Sequence, residues 1–305
     1  YTNEQTKEEI AREEWLNKLD KMSEDELKNR ESIYKTYLDM ASMAEYSYKD
    51  GSIKEKDLPN GWQEVKFEND PNLSNIINMA NNNDDGFQCS LLMNEEGKYV
   101  LSFRGTNEII KDGKEDVNGI FTPDSPQARL ALQTTEKLLN SGIIKKENLQ
   151  LTGHSLGGRL ASEVAVEYGL TAYTFNSAGV SLQTKNKIRN DLEKMNNSGK
   201  IINVCSANDK LTTVQNLGSF FADNHYLKPI SNFLLTNNTL KSQQKQNILD
   251  KGTILIRNAL FGADVRNVGG RKVISDAYGG HSITALRTSI GRRYADIQNK
   301  LNQNY

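Results

Sequence analysis

The stretch Leu149-Gln-Leu-Thr-Gly-His-Ser-Leu-Gly-Gly158 constrains the fold of this chain more than any other. Leu149 and Leu151 alternate with polar residues in strand fashion. Leu160, Ala161, Val164, Ala165 and Tyr168 then recur at helical spacing until Gly169 closes the segment. A strand that passes into a helix through Gly-x-Ser-x-Gly has the form of a nucleophile elbow, where a tight turn lifts a serine oxygen clear of its neighbours. Gly153 and Gly157 suit that turn because, lacking Cβ atoms, they let strand and helix close around a strained residue. The alternative, an ordinary glycine-rich turn, does not explain why a strand and a helix flank it.

Taken in order, the chain opens with about fifty charged, helical residues. Ile10, Leu16, Leu19 and Met22 are spaced for one apolar face, and Ser23 with Glu26 forms a capping box for a second helix. The apolar side of that helix includes Leu27, Ile33, Tyr34, Tyr37, Leu38 and Ala41, and both helices are expected to pack on the edge of a core. Signals are weak over 54–86, where Pro59-Asn-Gly61 and Asn81-Asn-Asn-Asp-Asp-Gly86 mark turns. Asn81, Asn83, Asp85 and Gly86 imitate the start of a calcium loop, but its twelfth position is Leu92 rather than glutamate, so a hairpin-type turn is the expectation.

Paired strands are predicted at 87–93 and 98–103, then a long polar loop to Pro126 and a helix over 127–140. The elbow follows, then a strand at 172–175, a helical segment at 181–196 and a strand at 201–204. After Asp209 the pattern loosens, and 216–250 reads as a cap insertion. A strand at 271–274, the run Tyr278-Gly-Gly-His281 and a final helix through Ile283, Leu286, Ile290, Tyr294, Ile297 and Leu301 complete the chain. Strands alternating with helices imply βαβ units and a largely parallel sheet. The length of 305 residues suits one domain over 1–305, with 1–50 as a helical extension and 107–124 as a lid loop.

Lysine plus arginine (38) nearly balance aspartate plus glutamate (39), so no global field points to nucleic acid. No apolar run is long enough to cross a bilayer. The first residue is tyrosine, so an export signal could have been removed, and export is favoured over a cytoplasmic location. Cys89 and Cys205 lie in separate apolar runs and read as buried thiols rather than a disulfide or metal site. With three histidines in the whole chain, a metal centre is not expected, nor is any cofactor.

A serine hydroxyl needs a base, and the base an acid that fixes its tautomer. His154 neighbours Ser155 and its side chain diverges from it, which leaves a packing or hydrogen-bonding role beside the turn. His225 lies in the irregular insertion. His281 follows a strand and a Gly-Gly pair and precedes a helix, as a strand-end base should. Asp209, just past the strand at 201–204, is the preferred acid over Asp223, Asp264 and Asp276, which read as solvated loop residues. The order Ser155, Asp209, His281 is that of α/β-hydrolases. Ser282 echoes the elbow but lacks its downstream glycine. Oxyanion donors are expected from the Leu156 N–H and from Thr106, at the end of Phe103-Arg-Gly-Thr106.

Phe103-Arg-Gly-Thr106, Gly153-His-Ser-Leu-Gly-Gly158 and Thr174-Phe-Asn-Ser177 together resemble the class 3 lipases, the fungal-type lipases and their bacterial relatives. The resemblance spans roughly 30–300 but is sharp only at those motifs. It implies an α/β-hydrolase fold, with a mostly parallel sheet flanked by helices and an insertion between acid and base. It further implies Ser155, Asp209 and His281 as a triad, Thr106 and Leu156 as the oxyanion hole, and acylglycerol or phospholipid esters as substrates. The chain departs from the family where Lys210-Leu-Thr-Thr213, rather than a nearby proline, follows Asp209. The expectation is a serine ester hydrolase of phospholipase A or acylglycerol lipase type, working at a membrane or micelle surface. An inhibitory or immunity partner fits an effector role. A small-ester esterase, thioesterase or peptidase, and a catalytically silent binding module, are the rival readings.

Overall fold

The computed structural model describes residues 3–105, 125–177, 201–209 and 270–303. Two helices lead, α1 (Asn3–Asp20) and α2 (Glu24–Tyr46). The capping box forms: Ser23 Oγ accepts the Glu26 N–H at 3.3 Å, and Glu26 Oε2 accepts the Ser23 N–H at 2.7 Å. The buried stripe of α1 differs from the expected one, running through Ala11, Trp15 and Leu19 while Ile10 and Leu16 face solvent. Trp15 decides the matter, because its large ring packs 5.5 Å from Tyr34 with the Arg293 guanidinium 4.1 Å from its centroid. On α2, Ile33 likewise turns outward.

The weakly patterned 54–86 stretch holds a short strand β1 (Trp62–Glu64) and a helix α3 (Pro71–Asn81). Asp70 Oδ1 caps α3 by accepting the Leu73 N–H at 3.0 Å, and Pro71 occupies the first turn. The asparagine-rich turn therefore follows a helix and leads into a strand, and is not a hairpin. Asn81 exchanges two bonds with the Cys89 backbone, and Asn83 accepts from Asp85 and Phe87 N–H groups. Those side chains are spent on the local backbone, as asparagines in turns commonly are.

The remaining elements are β2 (Cys89–Asn94), β3 (Tyr99–Phe103), α4 (Pro126–Asn140), β4 (Leu149–His154), α5 (Leu156–Tyr168), β5 (Thr171–Phe175), β6 (Ile201–Ser206), β7 (Arg271–Ile274) and α6 (Ile283–Gln303). Among the described residues, seven strands form one sheet in the order of the sequence, β1 to β7. The β1–β2 and β2–β3 pairs are antiparallel, and the four pairs from β3 to β7 are parallel. This is a mostly parallel, mixed α/β-hydrolase-like sheet. The expected lid (107–124), the 181–196 segment and the cap insertion (216–250) lie outside the described residues.

Strand order explains where the helices go. Right-handed crossovers that always step the same way across a sheet deliver their helices to one face. Accordingly α4 and α5 join α3 in one cluster, over Leu91, Leu101, Leu151 and Ala172. The other face, with Leu92, Val100, Phe175 and Val204, must be covered by helices outside those crossovers, and α1, α2 and α6 do so. Adjacent residues such as Leu91 and Leu92 thus enter different cores, the mark of a sheet buried on both sides. Helix α2 lies across the sheet face rather than at its edge: Ser102 and Thr152 hydroxyls donate to the α2 carbonyls of Met43 and Met40 at 2.9 and 3.2 Å.

Both cysteines are buried free thiols, and burial pushes Cys89 up to about 12. Among the described residues, no helix is long and apolar enough to cross a membrane.

Candidate active site

All the parallel strands end on the same edge of the sheet, so the residues just after β4, β6 and β7 converge there. Ser155, between β4 and α5, has φ 56° and ψ −123°, a conformation that costs a non-glycine residue about 1–3 kcal/mol. Close packing holds it. A Cβ on Gly153 would lie 2.3 Å from the Gly157 carbonyl oxygen, and one on Gly157 would lie 2.1 Å from that of Phe103. The Ser155 N–H donates to the Phe175 carbonyl at 3.1 Å, tying the elbow to the neighbouring strand.

His281 Nε2 lies 2.8 Å from Ser155 Oγ, and His281 Nδ1 lies 2.9 Å from Asp209 Oδ1. Asp209 is 1% exposed, while about a fifth of the His281 side chain reaches the surface. The carboxylate can only accept, so Nδ1 carries the proton and Nε2 is free to accept from the serine hydroxyl. The structure therefore brings Ser155, His281 and Asp209 together, hydrogen-bonded in that order. Leu156 begins α5, where the first N–H groups of a helix have no partner within it. Thr106 lies outside the described residues, as do His225, Asp223 and Asp264. The adjoining Phe103 and Arg104 backbone abuts the elbow at Gly157.

The remaining rivals have other roles. Asp276 is not a solvated loop residue: it is fully buried among Arg12, Arg292 and Arg293, the last at 2.5 Å. Ser282 Oγ accepts the Ala285 N–H at 3.2 Å and so caps α6. His154 is wholly buried; its pKa is lowered to about 3, first by burial and then by the neighbouring His281.

Three further side chains hold the loop that carries His281, and the sequence did not single them out for this. Asn208 accepts the Gly280 N–H at 2.8 Å and donates to the Tyr278 carbonyl at 3.0 Å. Asn176, at φ 43°, donates to the Gly280 carbonyl at 3.2 Å and accepts the Ser206 N–H at 2.8 Å. His154 Nε2 lies 2.6 Å from the His281 carbonyl oxygen. Asn176 and Asn208 both stand just beyond strand ends, a position that could have flagged them. Among the described residues, no three His, Cys, Asp or Glu side chains cluster as a metal would require.

These features accord with two comparisons. Extracellular phospholipase A1 of Serratia liquefaciens is 33% identical over 141 residues, which cover 45% of this chain and 43% of that protein. The chain thus matches less than half the length of that curated relative. A family model described as phospholipase-like, the Tle-like phospholipase domain, matches residues 39–276, from the body of α2 to the turn beyond β7. That span is well over half of the chain and contains Ser155 and Asp209, with His281 just beyond its end, and the chain belongs to the Tle-like phospholipase domain family.

Proposed function

We propose that this chain hydrolyses carboxylic esters of phospholipids, in phospholipase A fashion, through an acyl-enzyme on Ser155. The observation that carries the reading is the hydrogen-bonded line from Ser155 Oγ through His281 to the buried Asp209, at 2.8 and 2.9 Å. His281 Nε2 takes the hydroxyl proton as Ser155 Oγ adds to the acyl carbonyl, and Asp209 stabilises the imidazolium. The carbonyl oxygen becomes an oxyanion, for which the Leu156 N–H and Thr106 are the donors we propose. Collapse breaks the ester C–O bond, and the imidazolium returns its proton to the departing lysolipid alkoxide. Water, deprotonated by His281, then attacks the acyl-enzyme and releases the fatty acid.

The resemblance of the Phe-Arg-Gly-Thr and Gly-His-Ser-Leu-Gly-Gly motifs to class 3 lipases supports the serine mechanism. The family supports phospholipid over triacylglycerol, and the Serratia relative's designation favours action outside the producing cell. A fluorophosphonate probe is expected to label wild type and not Ser155→Ala. Mass spectrometry should find lysophospholipid and free fatty acid in equal amounts from phosphatidylcholine micelles. Turnover undiminished in Ser155→Ala would overturn the serine mechanism, and hydrolysis of soluble short-chain esters alone would overturn the lipid assignment.

A further inference from the structure

His154 takes no proton from Ser155, yet it is the most enclosed ionisable group at the site, and both of its ring nitrogens are engaged. We infer that Tyr48 and His154 form a positioning relay that fixes the backbone of the base loop and the backbone at the end of β3 relative to one another.

The direction of every bond follows from chemistry. The His281 carbonyl oxygen can only accept, so His154 Nε2, 2.6 Å away, carries its proton. In a neutral ring Nδ1 is then bare and accepts the Tyr48 hydroxyl at 2.6 Å. The phenol oxygen in turn lies against the Gly105 backbone, close enough that a Cβ there would stand 2.5 Å from it. Two hydrogen bonds thus run from Tyr48 through His154 to the His281 carbonyl, and the Tyr48 end is seated on Gly105. The two ends meet the backbone of segments that must keep register with Ser155: the base itself, and the residue preceding Thr106.

The surroundings admit few substitutes. A Cβ at position 105 would stand 2.5 Å from the Tyr48 oxygen, so a side chain there would expel the hydroxyl from its bond. The Tyr48 and His154 rings meet edge-on with centroids 5.8 Å apart, and Tyr48 is 5% exposed. Tyr48 leaves α2 through a constrained turn. Its N–H donates to the Glu45 carbonyl, and the next residue, Lys49, adopts φ 56° with its ammonium on both Glu64 oxygens at 2.8 Å. The helix that covers the sheet therefore also reaches the catalytic loops from behind. Neither relay residue touches the reacting atoms; both act through His281 and Gly105.

This inference rests on the esterase reading above, and the test separates the two. Wild type, Tyr48→Phe, His154→Phe, His154→Gln and the Tyr48→Phe/His154→Phe double variant are compared after thermal melts establish that each is folded. Tyr48→Phe, which removes one oxygen and keeps the ring, is the deciding variant. It is expected to lower kcat by about ten- to a hundredfold while KM stays within about twofold, as for a group that orders the transition state rather than binding substrate. His154→Phe should fall at least as far. His154→Gln, whose carboxamide can still donate to the His281 carbonyl, should recover part of the loss. The double variant should resemble His154→Phe rather than multiply the two losses, as members of one unit do.

Nitrogen-15 spectra of the wild type should show His154 with its proton on Nε2, unchanged between pH 5 and 8. Wild-type kcat in Tyr48→Phe, multiplicative losses in the double variant, or the opposite tautomer would each overturn the relay. An inert Ser155 in wild type would instead overturn the esterase reading, and the relay with it.

Discussion

Ser155 shows how close packing holds a residue in a strained conformation. Its positive φ is sustained because Gly153 and Gly157 let three backbone segments meet where any Cβ would collide. If His281 and Asp209 act with it as base and acid, His281→Ala and Asp209→Asn should each lower kcat on a short-chain ester by about 10³–10⁴-fold with the fold retained. Circular dichroism beside the rate measurement checks both halves. His154 carries a different prediction. Its pKa falls from 6.5 to about 3 on folding, so between those values the unfolded chain holds a proton that the native state refuses. Stability from this group is therefore complete above about pH 6.5 and is lost as pH falls, at about 1.4 kcal/mol per pH unit. Between pH 7 and 4.5, wild type should lose about 2–3 kcal/mol more than His154→Gln in guanidinium unfolding. Parallel losses would show that the histidine is not held neutral.

Among the elements, α2 and α6 are bound by more than apolar contact. The buried Glu45 carboxylate accepts the Thr284 hydroxyl at 2.6 Å and the Arg287 Nε–H, linking the end of α2 to the first turns after His281. Glu45→Ala leaves Arg287 without its carboxylate. Because a quarter of the Arg287 side chain is exposed, water relieves part of the cost, and a loss of about 2 kcal/mol is expected in urea unfolding. Glu45→Gln, which can still accept from Thr284, should lose less. Element type was legible wherever periodicity was strong, as at β2 to β5 and α6. Helix α3 has as its local signals only Asp70-Pro71 and the Leu73, Ile76, Ile77 spacing, within an otherwise weakly patterned stretch. The buried face of α1 departs from the apolar spacing because counting apolar positions gives Trp15 no more weight than Ile10, whereas burial rewards the larger ring.

At the scale of the molecule, the sheet's sequential strand order makes the N-terminal helices indispensable. They and α6 form the core of one face, over Leu92, Val100, Phe175 and Val204. Removing residues 3–46 should expose that face and leave a chain that binds a hydrophobic dye and lacks a cooperative thermal transition. A soluble truncated protein with a sharp melt would show that the other face suffices.

What the sequence by itself determined is local: the strand–Gly-x-Ser-x-Gly–helix turn, the alternation of strands with helices, the capping box, and the short list of residues able to serve as acid and base. These follow from backbone sterics and periodicity, which act over a few residues. The tertiary structure alone decided which groups meet. His281 reaches Ser155 across 126 positions and Asp209 across 72, because parallel strands end on one edge of the sheet. It likewise decided that α2 lies on the sheet face, that Asp276 is enclosed by arginines, and that Tyr48 touches His154 across 106 positions. Such contacts depend on strand order and burial, quantities that no window of the sequence contains.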